Sequence, residues 1–195
     1  MSNTRESIRS RIKQQRRHLD RRSQESAAEQ ASQLIRRQGF FLNSQHIAAY
    51  LPMHGELSPL PLIDMARSLG KNIYLPVLMP FLTNRLWFAP WHPKTKMKTN
   101  RFGIPEPVFN GKQLIPARQL DMVITPLVAF DQHCQRMGMG GGYYDRTFSF
   151  LRFRQYWQSP KLIGLAYEFQ KVNRINTQPW DVPLHAVVSQ KCIYK

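Results

Sequence analysis

The sequence predicts an α/β fold: a central, mostly parallel sheet flanked by helices, with a basic helical segment at the amino end, in a single domain over residues 1–195. Three observations carry that expectation. Short apolar runs alternate with segments whose apolar residues recur at helical spacing, the order that produces parallel pairing. One run, "LDMVITPLVAFD" at 120–131, is apolar almost throughout, as in a strand covered on both faces. A chain of 195 residues with 42% hydrophobic content is also long enough to bury a substantial core.

The elements follow in order. Residues 4–18 read as a polar, basic helix. Residues 23–38, "SQESAAEQASQLIRRQ", read as a second, with Ser23 as N-cap and Gly39 near its end. "HIAAYLP" at 46–52 is an apolar strand stopped by Pro52. In the next helix Ser58 is placed to cap and Pro59 suits the first helical position. Leu62, Ile63, Ala66 and Leu69 share a face there, and Gly70 closes the helix. "NIYLPVL" and "RLWFAPW" are strands. The Lys-, Pro- and Asn-rich stretch 92–118 reads as mostly loop around "NRFGIPEP", where X-Pro bonds stiffen an extended path. After 120–131 comes a glycine segment, then "YYDRTFSFLRFRQYW" with helically spaced aromatics, and "KLIGLAYE" and "HAVVSQKCIY" as late strands.

Charge is the unusual feature of the composition. With 28 Lys and Arg against 12 Asp and Glu, the formal net charge is +16. Such an excess attracts nucleic acid, nucleotide phosphates or polycarboxylates without choosing among them. No apolar run is long enough to cross a bilayer, and the opening residues lack the apolar stretch of a secretory signal. Cys134 and Cys192 are the only cysteines, and no Cys or His group has zinc spacing. These points lead us to expect a reduced, cytoplasmic protein.

The segment "RMGMGGGYYDR" at 136–146 follows the best strand and precedes a helix, the place where open α/β sheets bind ligands. It is not a Walker loop, since Gly142 is followed by Tyr143 and Tyr144 instead of Lys and Ser/Thr. It also misses the dinucleotide fingerprint, whose third glycine would fall on Tyr143. A glycine turn that only packs a strand against a helix explains the glycines about as well as a site does. Three neighbours favour a site. Arg136 can bridge phosphate oxygens, and Tyr143 can cover a flat heterocycle. Asp145 beside a phosphate cradle makes sense with a cation between them.

At these residues the chain resembles the 5-formyltetrahydrofolate cyclo-ligase family, also called 5,10-methenyltetrahydrofolate synthetases. The resemblance runs almost end to end, through "YLPMHGELS", "FGIPEP", "ITPLVAFD", the glycine segment, "GLAYEFQ" and "WDVPLHAVV". It implies MgATP-dependent closure of the formyl group of 5-formyltetrahydrofolate into a methenyl bridge. ATP is then a cosubstrate and Mg²⁺ the cofactor.

Carried over, the resemblance implies ATP binding by Arg5, Glu6, Ser7, Ile8 and Arg9, and by Arg136, Met137, Gly138, Met139, Gly140, Gly141, Gly142, Tyr143 and Tyr144. Substrate contacts fall on Leu51, Glu56 and Met139 to Tyr143. Asp145 and Asp181 match the metal positions, and Arg136, Tyr143 and Asp145 the catalytic ones. Arg5 stands where lysine is common, Met137 replaces a usual leucine, and His185 stands where many members have aspartate. We expect a monomer acting on small molecules, without membrane or nucleic-acid partners; the folate could carry a polyglutamate tail that suits the positive charge. Two other readings stay open on the residues alone: a basic nucleic-acid-binding module, and MgATP phosphoryl transfer to a different acceptor.

Overall fold

A computed structural model describes residues 4–79, 84–153 and 158–195. Helices α1 (Arg5–Arg17), α2 (Arg21–Ile35) and α3 (Gly39–Leu42) come first, followed by strand β1 (His46–Ala48), helix α4 (Leu60–Ser68) and strands β2 (Asn72–Leu78) and β3 (Leu86–Pro90). Strands β4 (Met97–Thr99), β5 (Pro105–Pro107), β6 (Met122–Pro126), β7 (Ala129–Phe130) and β8 (Arg136–Met137) precede helix α5 (Tyr143–Thr147). Strands β9 (Lys161–Leu165), β10 (Ala186–Val188) and β11 (Ile193–Tyr194) complete the order.

Seven strands form the main sheet in the order β11-β10-β9-β6-β1-β2-β3. The five inner strands are parallel, while β3 and β11 pair antiparallel at the two edges. The expected fold class therefore holds, with hairpins at both margins. Alternate residues go to opposite faces. Ile47, Met122, Ile124, Ile163 and Val188 pack with α2 and α4 residues such as Ala31, Ile35, Leu62 and Ile63. Ala48, Val123, Leu162 and Val187 pack with Phe88, Phe148 and Leu151.

Several local expectations are corrected. The second helix begins earlier, because Asp20 and not Ser23 is its N-cap: Asp20 Oδ1 accepts from the Ser23 amide at 2.9 Å, and its Oδ2 from the Ser23 hydroxyl at 2.7 Å. That helix ends at Ile35, and Gly39 opens α3. The 46–52 strand pairs only over 46–48, since the chain leaves the sheet before Pro52. Pro59, not Ser58, is the N-cap of α4, so the helix starts one residue later than expected, and Ser58 Oγ accepts from the Leu60 amide at 3.2 Å. Leu69, expected on the buried face, is exposed just past the last turn of α4.

The 92–118 stretch is not all loop, since it contains the β4–β5 hairpin. Run 120–131 breaks into β6 and β7 at Leu127–Val128, and 185–194 is a hairpin instead of one strand. The aromatic-rich helix stops after α5 and continues as a 3₁₀ turn over Ser149–Phe153; residues 154–157 lie outside the described residues. Both cysteines are free, Cys134 buried and Cys192 exposed.

Candidate active site

The parallel strands point their carboxyl ends toward one edge, and the chain after β1, β6 and β9 supplies loops there. Helix α1 lies across this edge. Thr4 caps it, accepting from the Ser7 amide at 3.2 Å. Its buried face is Ile8, Ile12 and Arg16, spaced four residues apart. Ile8 and Ile12 pack on Val128, Ala129, Met137 and Ile175. Helical geometry then places Arg5 and Arg9, another pair at i and i+4, along a flank facing the glycine segment.

Arg9 Nε donates to the Gly138 carbonyl at 3.1 Å. Arg5 donates to the Asn176 carbonyl and lies 3.6 Å from Asp181. Glu6 and Ser7 are exposed on α1, whereas Ile8 belongs to the core under the helix. Of the five carried-over positions on α1, the two arginines bring charge to the glycine segment and to Asp181.

Arg136 sits on β8, at the end of a hairpin that the sequence did not reveal. Asp131 builds the intervening turn: its Oδ1 accepts from the His133 amide at 2.9 Å and the Gln135 amide at 3.1 Å, and its Oδ2 accepts from the Ile175 amide at 2.9 Å. From there the Arg136 guanidinium reaches Asp145 Oδ1 at 2.6 Å and the Val182 carbonyl. The same Asp145 oxygen accepts from the Val182 amide at 3.1 Å. Asp181, the neighbour of Val182, accepts from the Gln178 amide at 2.9 Å. Asp145 and Asp181, the carboxylates expected to hold metal, are thus linked through the Val182 peptide, and each is paired with an arginine.

Between Arg136 and Asp145 runs the glycine segment. Met137 is buried, and Met139 is exposed. A Cβ on Gly140 would meet the Arg9 guanidinium at 3.6 Å. Gly142 is the N-cap of α5 with φ +63°, and a Cβ there would lie 2.7 Å from Arg146 Nη1. The left-handed φ at Gly142 favours glycine, and the absent Cβ leaves room for the Arg146 guanidinium. Tyr143 is held from three sides: Arg101 donates to its hydroxyl at 2.8 Å, Phe102 meets its ring edge-on at 5.9 Å, and the Arg146 guanidinium lies 5.3 Å from the ring centre. Tyr144 stacks on Phe148. Burial, reinforced by Glu56, pushes its hydroxyl pKa up, and Arg136 pulls it back.

Leu51 and Glu56, expected from the resemblance to contact folate, lie after β1. Leu51 is half-buried there. Glu56 Oε2 accepts from the Met53 amide at 3.2 Å, and its other oxygen lies 3.8 Å from Arg16. Burial raises the Glu56 pKa above the ordinary carboxylate value, opposed by the Met53 amide, Arg16 and His54. The His185 ring packs edge-on against Phe40 at 5.9 Å, on the helical layer.

Sequence reasoning missed Asp131, Arg101, Arg146 and Arg16. Arg16 had a signal, since it continues the Ile8 and Ile12 spacing, and Asp131 lies in the turn-like "DQHCQ". Arg146 had one too, as the last residue of the glycine motif, four places after Gly142; Arg101 reaches Tyr143 across the fold and left none.

Among the described residues no three His, Cys, Asp or Glu side chains gather as a complete metal cage, and no helix is long and apolar enough to cross a membrane. The Asp145–Asp181 pair fits a hard cation that takes one or two carboxylates and completes its shell with phosphate oxygens.

The model of the 5-formyltetrahydrofolate cyclo-ligase family matches residues 1–190. The 5-formyltetrahydrofolate cyclo-ligase of Escherichia coli K12 is 38% identical over 186 residues, covering 94% of this chain and 99% of that protein. The Haemophilus influenzae protein of the same name is 40% identical over 190 residues, covering 94% and 96%. The solution structure of Aquifex aeolicus 5,10-methenyltetrahydrofolate synthetase superposes with a TM-score of 0.80 at 26% identity, over 98% of this chain and 92% of that one. With a whole-chain family match and relatives of nearly equal length, this chain belongs to the 5-formyltetrahydrofolate cyclo-ligase family.

Proposed function

We propose that this protein converts 5-formyltetrahydrofolate to 5,10-methenyltetrahydrofolate at the expense of ATP. A formyl oxygen on nitrogen is a poor leaving group. Transfer of the terminal phosphoryl of ATP to that oxygen gives a phosphorylated intermediate and ADP. The neighbouring folate nitrogen attacks the activated carbon and loses its proton; the C–O bond breaks, and inorganic phosphate departs. The protein's task is positioning and charge neutralisation, with no covalent nucleophile.

The observation that supports this most is the set of arginine contacts at the glycine segment and its neighbours: Arg9 donates to the Gly138 carbonyl, Arg136 pairs with Asp145 across the segment, and Arg5 pairs with Asp181. In this reading the arginines and the segment's amides hold the triphosphate. Asp145 and Asp181 would hold Mg²⁺, which when bound supplies charge neutralisation at the phosphates. Binding the cation with its nucleotide then means exchanging two ion pairs, Arg136–Asp145 and Arg5–Asp181, for arginine–phosphate and carboxylate–metal contacts. Tyr143 borders both ligands, and Glu56 accepts from the amino-pyrimidinone edge of the folate.

Protein, MgATP and 5-formyltetrahydrofolate are mixed, and the near-ultraviolet band of the methenyl product is followed beside ADP release. Product and ADP should rise in equal amounts, and Arg136→Ala should raise the KM for ATP at least about tenfold while folate KM changes little. ADP release without the methenyl band would point to another acceptor, and binding of nucleic acid without turnover would abandon the reading.

A further inference from the structure

Helix α1 meets the turn that carries Glu56 at Arg16. Arg16 is the third residue of its buried face, with 3% of the side chain exposed. Its guanidinium donates to the Leu127 carbonyl at the end of β6 and lies 3.8 Å from Glu56, a charge contact longer than a hydrogen bond. Its Nε is buried without a partner among the described residues. Its backbone is clamped too: a Cβ on Gly55 would come within 3.2 Å of the Arg16 carbonyl oxygen. The turn that carries Glu56 is therefore wedged against the end of α1.

An apolar residue would continue the Ile8 and Ile12 face without desolvating a cation. An arginine at this place needs compensation, and Leu127 and Glu56 are the groups that provide it. We propose that Arg16 is a positioning residue for Glu56, reaching from the amino-terminal helix to fix the direction and the charge of the carboxylate that receives the folate. The proposal deepens the reading above and rests on its assignment of Glu56 to the folate.

The groups around Glu56 set the sign of the expected pH effect. Arg16 faces it from α1 and His54 from its own turn. Tyr50 faces it from the segment after β1, and Tyr144, itself influenced by Arg136, from α5. Tyr167, after β9, lies on the Arg16 side, with its hydroxyl buried and unpartnered among the described residues. Burial already raises the Glu56 pKa, and Arg16 is one of the groups opposing that rise. Removing the guanidinium lets the pKa climb further, so a larger fraction is protonated at a given pH. Folate binding that needs the carboxylate then fails first on the acid side.

The test uses the full chain as wild type, Arg16→Met, Arg16→Lys and Glu56→Gln, with kcat and both KM values measured across pH and urea unfolding as a check of folding. Arg16→Met should raise folate KM about tenfold at neutral pH and move the acid limb of kcat/KM for folate upward by about one pH unit, with kcat and ATP KM within about twofold. Arg16→Lys keeps the charge and should return the acid limb to the wild-type position. If the Met variant does not fold, the Lys variant carries the test, with a raised folate KM and an unmoved acid limb. A folded Met variant with wild-type folate KM and acid limb overturns the proposal, as does a Lys variant that disturbs ATP as much as folate. If Glu56→Gln raises folate KM and Arg16→Met does not, only the role of Arg16 falls. If Glu56→Gln leaves folate KM unchanged, the assignment of Glu56 falls and takes this proposal with it.

Discussion

Gly164→Ala adds one methyl group at the centre of the sheet. Gly164 stands in β9, opposite Thr125 of β6 on one side and Val187 of β10 on the other. An added Cβ would lie 2.6 Å from Leu184 Cδ1, 2.7 Å from Leu127 Cδ2 and 3.2 Å from Val187 Cγ2. Carbon atoms pack comfortably at about 3.5–4.0 Å, so both leucines must retreat by roughly 1 Å. They are buried with little room to do so. Overpacking of this kind costs about 1–3 kcal/mol, and replacing glycine in a strand returns about 0.5–1 kcal/mol of backbone entropy. Taking the middle of each range, the net expectation is a loss of about 1 kcal/mol, which lowers Tm by about 2–4 °C for a chain of this size.

Urea unfolding should show a lower midpoint at unchanged slope. The displacement also has direction. Leu184 follows by two residues the Val182 peptide that holds Arg136 and Asp145, and the Leu127 carbonyl holds Arg16. Turnover should therefore fall by more than the small unfolded fraction explains, with ATP KM raised. A midpoint equal to or above that of the wild type would refute the packing argument; a lowered midpoint with intact ATP KM would refute the link from β9 to the site.

On the proposed assignment, Asp145→Asn should raise the Mg²⁺ concentration for half-maximal turnover at least about tenfold, while folate KM moves less than about threefold. Mg²⁺ titration checks this, and wild-type turnover at limiting Mg²⁺ counts against Asp145 as a metal ligand. Ile12→Ala empties part of the contact beneath α1, where Ile12 is fully buried; it should cost about 2–5 kcal/mol and raise ATP and folate KM together, since Arg5, Arg9 and Arg16 ride on the same helix. Calorimetry with both KM values tests it, and unfolding at the wild-type temperature contradicts it.

Much of the sheet could be read from local pattern. The run 120–131 stands out because a doubly covered strand is apolar almost throughout, and that density masks its kink: Pro126, which cannot donate to the ladder, is the one residue in "TPLVAF" that marks where β6 stops. Ser23 has the residue type of an N-cap, yet it lies inside α2. Asp20 wins because its carboxylate reaches both the amide and the hydroxyl of Ser23. At the site, the glycines and Asp145 stand within one short motif and could be seen together. Asp181 drew attention only through family resemblance, because its turn in sequence looks ordinary. Arg16 vanished into a run of basic residues, since the property that sets it apart is burial, and only its phase with Ile8 and Ile12 carries that information.

The contact of Arg5 with Asn176 and Asp181 has a consequence for how this molecule comes into being. Those partners are 171 residues apart between Arg5 and Asn176. At roughly 5–20 residues per second of translation, Arg5 emerges on the order of ten to thirty seconds before the segment that holds it. For that interval a nascent chain displays Arg5 without the carboxylate that pairs with it in the fold, beside a ribosome made largely of polyanion. Synthesis of the far end is what draws that arginine home.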